Sequence, residues 1–221
     1  MFKIRSNKEI HKYGRQLRGS MIVIEGLIGV GKSTLGHNLE KLLNENGIEC
    51  KFYEEYVNSE LLQQYIENME KYSYSFQLVM LLKRIEIYKE ARNYTKSGGI
   101  AIIDRSLLGD YAFALMQHKH GNISDSEMIA YKSICKQEDL PEPDIIVYLN
   151  ADVEICMNRI TKRGRPGETK GYSEQYLYDL KSVYNEILFS PPKFSYVKID
   201  SNEEYVVTSS FVLKTICDSL I

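Results

Sequence analysis

The residues whose chemistry is plainest stand near the start of the chain. Gly26-Leu27-Ile28-Gly29-Val30-Gly31-Lys32-Ser33-Thr34 fits the pattern G-x-x-x-x-G-K-[ST]. Gly26 and Gly31 permit the positive φ angles and close backbone approach that aim successive N–H groups at phosphate oxygens, with Gly29 between them in the same loop. Lys32 brings a positive charge to β- and γ-phosphates and is expected to be solvated without nucleotide, while the Ser33 hydroxyl can ligate Mg²⁺. In a chain of this length the pattern arises by chance with a probability on the order of one per cent. A loop of this kind implies a nucleoside triphosphate without saying what is done with it.

A GTPase switch, an ATPase motor and a small-molecule kinase all use such a loop. No Asp in the sequence is followed by Gly three residues later and no Asn-Lys-x-Asp occurs, so the switch reading falls away. An ATPase usually sets Glu after the Asp that ends its Mg²⁺-site strand. Here the run 100–103 ends in Asp104-Arg105-Ser106. A guanidinium suits a negatively charged transition state better than it suits the activation of water. Further charged groups follow other apolar runs. Glu54 and Glu55 come after residues 50–53, and either carboxylate could take a proton from an alcohol. Gln77 and Arg84 are seven residues apart and share one helical face. Arg159 and Arg163 share another, followed by Arg165 and Glu168.

These residues need a frame. Runs 21–24, 100–103 and 145–149 are short, rich in Ile and Val and hardly alternate, as strands buried on both faces of a parallel sheet do. Residues 50–53 and 196–199 are weaker strands of the same kind. Helix-length stretches lie between them, at 32–46, 59–69, 73–95, 107–119, 124–137, 152–162, 173–188 and 203–219. The pattern is that of a doubly wound α/β domain over residues 21–221, whose ligands lie beyond the carboxyl ends of the strands. With 221 residues, one core is expected. Residues 1–20 carry Lys3, Arg5, Lys8, Lys12, Arg15 and Arg18 against Glu9 alone and read as a basic, solvated arm. A mitochondrial transit peptide is the alternative, disfavoured because Ser is scarce and Arg does not dominate.

Composition removes other classes. A 43% hydrophobic, 26% charged chain has the balance of a globular domain, and a net charge of −2 offers no general field for a polyanion, so no nucleic-acid partner is expected. Cys50, Cys135, Cys156 and Cys217 have no metal-ligand spacing and read as reduced thiols. No run approaches the ~20 apolar residues of a membrane span and no signal-peptide core follows Met1. The expectation is a cytoplasmic protein without a membrane partner.

The phosphate loop, Phe76-Gln77, Asp104-Arg105-Ser106 and the segment from Arg159 through Arg163-Gly164-Arg165 to Glu168 stand in the order and near the spacings of the deoxynucleoside kinase family, which the chain resembles from about Met21 to about Leu188. The resemblance implies a five-stranded parallel sheet flanked by helices, the P-loop nucleoside kinase fold, usually as a homodimer. It implies ATP as phosphate donor, Mg²⁺ held by Ser33 and Asp104, and transfer to the 5′-hydroxyl of a deoxynucleoside. Gapless counting puts Glu54 at the place of the general base, with Glu55 where the family commonly has Pro, and a slip of one residue would promote Glu55. Arg105 and Lys32 complete the catalytic set. Phe76 and Gln77 correspond to residues beside the base, joined by an Arg84–Asp110 pair typical of members that accept deoxyadenosine, deoxyguanosine or deoxycytidine over thymidine. Arg159, Arg163 and Arg165 correspond to a lid over the triphosphate, at about 159–171, and Glu168 to the acid that binds the 3′-hydroxyl. The family Tyr that assists Glu168 falls at Ile66, so the adjacent Tyr65 is expected to take its part. Alternatives are a thymidylate-type monophosphate kinase, which would need a cationic acceptor site where only Lys71 is available between Glu54 and Gln77, and a catalytically dead nucleotide-binding regulatory subunit.

Overall fold

The computed structural model describes residues 7–138, 140, 142–165, 168–189, 196–203 and 208–220. Five strands, β1 (Met21–Gly26), β2 (Cys50–Tyr53), β3 (Ile100–Asp104), β4 (Ile145–Asn150) and β5 (Tyr196–Asp200), form one parallel sheet in the order β2-β3-β1-β4-β5. The central strands β1 and β3 are buried at every residue, which is why their sequences do not alternate, whereas the edge strand β5 alternates in exposure. β1 pairs with β3 on one side and β4 on the other, with Ile24 beside Asp104 and Gly26 beside Leu149. The chain thus turns to opposite sides of the sheet at β1, and a crevice opens at the carboxyl ends there.

Helices cover both faces: α1 (Asn7–Gln16), α2 (Lys32–Glu45), α3 (Ser59–Glu67), α4 (Met69–Lys96), α5 (Leu107–Lys119), α6 (Asp125–Glu138), α7 (Val153–Arg163), α8 (Glu168–Gly171), α9 (Glu174–Phe189) and α10 (Ser209–Ser219). Asn58, Asn68, Ser106 and Thr208 cap α3, α4, α5 and α10 through their side chains, which fixes where each helix starts. α4 is the longest, 28 residues, and begins earlier than its apolar pattern suggests because Asn68 nucleates it at Met69. The helix expected from residue 203 begins at Ser209, and residues 204–207 lie outside the described residues.

The solvated arm is corrected for its second half. Residues 7–16 form α1, with Ile10, Tyr13 and the following Leu17 buried in the main core and Gln16 Nε2 donating to the Cys217 carbonyl at 2.9 Å. These apolar positions recur at spacings of three and four, a helical face that the surrounding lysines and arginines mask in the sequence. Residues 1–6 lie outside the described residues.

Candidate active site

At the carboxyl end of β1 the glycines make the turn that the sequence implies. Gly26 has φ 140°, and a Cβ there would lie 2.5 Å from the Leu149 carbonyl oxygen; at Gly29, φ 78°, it would lie 2.5 Å from that of Cys156. Gly31, φ 105°, is the N-cap of α2 and supplies no side-chain cap, so the first-turn N–H groups face the loop without a side-chain acceptor. Lys32 is buried rather than solvated, its Nζ donating to the Leu27 carbonyl at 3.1 Å and lying 3.9 Å from Asp104. Burial, with Arg105 nearby, lowers its pKa. Ser33 Oγ donates to Asp104 Oδ2 at 2.6 Å, while Asp104 Oδ1 is buried without a hydrogen-bond partner. Thr34 is exposed on the first turn of α2.

Beside this loop lies Arg105, whose φ of 73° makes it the one non-glycine residue with positive φ among the described residues. The conformation is held from several directions. Its N–H donates to the Ile24 carbonyl at 2.9 Å and its own carbonyl accepts from Arg84 Nη1 at 3.2 Å. Its side chain donates through Nη1 to the Gly26 carbonyl at 3.1 Å and to the Tyr184 hydroxyl, and through Nε to Glu55 Oε1 at 3.0 Å, with the guanidinium over the Phe113 ring. Tyr184 donates in turn to Glu25, a fully buried carboxylate that also accepts from the backbone N–H groups of Ser106 and Gly109. Glu25 and Tyr184 therefore set the angle at which Arg105 enters the crevice.

The two acids after β2 part company. Glu54, the residue placed as base by gapless counting, is 64% exposed and pairs with His37 Nε2 at 2.7 Å on the surface of α2. Glu55 turns inward and its Oε1 accepts from both Arg105 Nε and Arg84 Nη2, at 3.0 and 2.9 Å. Burial alone would raise the Glu55 pKa, but Arg105, then Arg84 and Lys32, outweigh it and hold the carboxyl at about 2. Both acids border the cavity, Glu54 at its exposed rim beside His37 and Glu55 within it between two guanidinium groups, because side chains alternate along an extended segment.

The far end of the crevice is built by α4 and α5. Gln77, Met80 and Arg84 follow one face of α4 and all line the cavity. Arg84 Nε lies 3.1 Å from Asp110 Oδ1, both groups being buried, so the pair is not an ordinary surface ion pair. Gln77 Nε2 donates to the Asp110 carbonyl at 3.1 Å, and Tyr131 of α6 donates to Asp110 Oδ2 at 2.7 Å. Phe76 lines the same cavity and stacks on Tyr65 with ring centroids 4.5 Å apart. The hydroxyl of Tyr65 is not offered to the cavity as expected: it bonds Tyr176 at 2.9 Å and accepts from Gln117 Nε2 at 2.7 Å.

The third wall comes from the segment after α7. Arg163 Nη2 donates to Glu168 Oε2 at 2.6 Å and Arg165 Nη1 to Oε1 at 3.3 Å, and all three line the cavity. Arg159 behaves differently from its neighbours, bracing the phosphate loop by donating to the carbonyls of Val30 and Ser201. Residues 166–167, within the expected lid, lie outside the described residues. Sequence reasoning missed Glu25, Met80, Phe113, Tyr131, Tyr172 and Tyr184. Met80 and Phe113 sit three residues after Gln77 and Asp110 on the same helical faces and could have been found from that spacing. Tyr184 is 79 residues from Arg105 and carries no local signal.

A buried crevice running from a phosphate loop to a paired Arg and Asp, with a carboxylate between them, defines a P-loop kinase whose acceptor is a small molecule. The comparisons with known proteins specify it further. Residues 22–220 match the family model described as "Deoxynucleoside kinase". A deoxyadenosine kinase of Dictyostelium discoideum is 31% identical over 179 residues, covering 79% of this chain and 69% of that protein. A deoxyadenosine/deoxycytidine kinase of Bacillus subtilis (strain 168) is 31% identical, covering 76% of each chain. A solved structure of deoxyadenosine kinase from M. mycoides with bound dATP superposes with a TM-score of 0.75 at 25% identity, over 89% of this chain and 98% of that one. The chain belongs to the deoxynucleoside kinase family. It is accordingly a phosphotransferase that acts on deoxynucleosides, and the dead-subunit and monophosphate-kinase alternatives are set aside.

Proposed function

We propose that this enzyme phosphorylates the 5′-hydroxyl of deoxyadenosine, deoxyguanosine or deoxycytidine in preference to thymidine, with ATP as donor, and that Glu55 rather than Glu54 accepts the proton. The observation that carries the reading is the position of Glu55, bonded to Arg105 and Arg84 in the cavity that joins Lys32 and Ser33 to Gln77 and Asp110. An alcohol brought to that carboxylate lies in the same cavity as the phosphate loop, and in-line transfer needs little more than such positioning and charge. Arg105 and Lys32 stand beside it to meet negative charge that builds in the transition state. Arg163 and Arg165 line the same cavity as the phosphate loop, and their charge suits them to exchange Glu168 for the triphosphate.

The donor set at Ser33 and Asp104 suits magnesium, a hard cation that takes hydroxyl and carboxylate oxygens. The orphaned, buried Asp104 Oδ1 supports that fit. When bound, the ion supplies positive charge against the β- and γ-phosphate oxygens. At the other end, the buried Arg84–Asp110 pair and Gln77 line the cavity as polar groups for a base edge, a wall that favours ring-nitrogen and carbonyl acceptors over a methyl group. Among the described residues no helix is long and apolar enough to cross a membrane. A cytoplasmic homodimer is the form in which we propose it acts. The test is turnover of the four deoxynucleosides with Mg-ATP: the highest kcat/KM is expected for one of the three named substrates and the lowest for thymidine. A preference for thymidine would overturn the base assignment.

A further inference from the structure

Asp110, in the first turn of α5, holds both polar side chains at the base end of the cavity. Its carbonyl accepts from Gln77 Nε2 at 3.1 Å, and its Oδ1 accepts from Arg84 Nε at 3.1 Å. A buried carboxylate with one oxygen on a guanidinium has a second oxygen to satisfy, and leaving it bare is costly. The partner comes from behind the cavity wall. Tyr131, in the middle of α6, donates its hydroxyl hydrogen to Asp110 Oδ2 at 2.7 Å, the length of a strong bond to a carboxylate. The residue is 1% exposed, and its ring packs in an apolar cluster with Leu81, Ile85, Ala114 and Met128. Burial, followed by the neighbouring Asp110, raises the Tyr131 pKa well above its usual value, which keeps the phenol a donor at neutral pH.

The outer torsion of an Asp side chain is soft and roughly two-fold, so a single bond leaves the carboxylate free to turn and a second pins its plane. Arg84 depends on that plane. Its Nη2 donates to Glu55 Oε1 at 2.9 Å and its Nη1 to the Arg105 carbonyl at 3.2 Å, so the point at which Nε meets Asp110 sets how the guanidinium is presented to a base. We propose that Tyr131 is a positioning residue that determines base selectivity, holding the Asp110 carboxylate in the plane that presents Arg84 to the base edge without itself touching the substrate. With that bond gone, the carboxylate and the guanidinium can adjust to each base in turn. A site that re-packs around its ligand discriminates less than a fixed one, and thymidine is the substrate that gains.

The inference rests on the proposed preference for deoxyadenosine, deoxyguanosine or deoxycytidine, and one experiment keeps the two apart. Thymidine and the best of the other three are supplied together with Mg-ATP to the native enzyme, to Tyr131→Phe, to Asp110→Ala and to the double variant, and the two monophosphates are counted. Their ratio reports relative kcat/KM from whatever fraction of the chain is folded, and Phe keeps the ring in its apolar cluster. Tyr131→Phe is expected to lower the preference about three- to tenfold, the usual range for losing one hydrogen bond, through a raised KM for the preferred deoxynucleoside and an unchanged KM for ATP. With Asp110→Ala already present, the same change should leave the ratio within about twofold, because a residue that acts through Asp110 then has nothing to act on. A merely structural hydroxyl would lower Tm in both backgrounds and move neither ratio. A native preference that Tyr131→Phe leaves unchanged, or lowers equally once Asp110 is gone, overturns the role of Tyr131 alone. A native enzyme that prefers thymidine overturns the base assignment and this inference with it.

Discussion

Replacing Glu55 by glutamine preserves shape and one carbonyl acceptor while removing the negative charge that Arg105 and Arg84 share at 3.0 and 2.9 Å. Two effects should separate. The chemical one is loss of the proton acceptor, worth about 10²–10⁴-fold in kcat for general-base catalysis. The structural one is smaller than the ~3–5 kcal/mol of breaking a fully buried pair, because Glu55 is a quarter exposed, Arg84 keeps Asp110 and Arg105 keeps Tyr184. About 1–3 kcal/mol remains, which for a chain of this size lowers Tm by roughly 3–10 °C. Glu54→Gln removes an exposed pair with His37 at the rim of the cavity and leaves the carboxylate between Arg105 and Arg84 in place, so turnover should stay within about twofold and stability within ~1 kcal/mol. ADP release with Mg-ATP and the preferred deoxynucleoside, assayed at least 15 °C below each variant's own melting point, reads the first effect, and the melting curves read the second. A Glu55→Gln enzyme of near-native kcat beside a Glu54→Gln enzyme reduced a hundredfold would refute the assignment and restore the gapless register.

Lys32→Ala should abolish turnover while the chain still melts cooperatively; retention of more than a tenth of native kcat would contradict the role of the phosphate loop. Arg84→Met with Asp110→Ala should raise the share of thymidine in a substrate competition and lower kcat for every substrate, because Arg84 also holds Glu55; an unchanged ratio refutes reading of the base by this pair. The depressed Glu55 pKa keeps the carboxylate charged at ordinary pH, so kcat/KM should show no acidic limb from this group between pH 8 and 5. Its stabilising contribution is complete above the unfolded value of 4.5 and lost as pH falls through about 2. A limb near pH 6 that moves in Glu55→Asp would contradict this.

What could be read in advance divides along physical lines. The phosphate loop and the buried strands were legible because their signal is local: glycine spacing makes the turn, and unbroken Ile and Val mark strands covered on both faces. The choice between Glu54 and Glu55 was not, since a one-residue slip at the end of β2 exchanges the inward and outward side chains and no pattern in Tyr53-Glu54-Glu55-Tyr56 marks the phase. α1 was hidden by its charge, which outweighs Ile10, Tyr13 and Leu17 in any average although those three, with Gly14, make the buried stripe. Tyr184 and Tyr131 reach Arg105 and Asp110 from distant parts of the chain, and contacts of that kind are products of tertiary packing. Tyr65 illustrates the converse, a residue in nearly the expected position whose hydroxyl the fold commits to a different network.

The uncapped start of α2 bears on how this enzyme can be watched at work. The amides of its first turn have neither a helical carbonyl nor a side-chain acceptor, so hydrogen exchange there should be rapid in the free chain, against slow exchange in β1 a few residues earlier. A triphosphate supplies the missing acceptors and a nucleoside does not, which makes the protection of residues 32–34 a reporter of donor occupancy alone. By linkage, the same bonds raise global stability by ~2.7 kcal/mol when ligand is present at a hundred times its Kd. Exchange at those amides would therefore show whether donor and acceptor bind in a fixed order, a kinetic property that turnover measurements reach only indirectly.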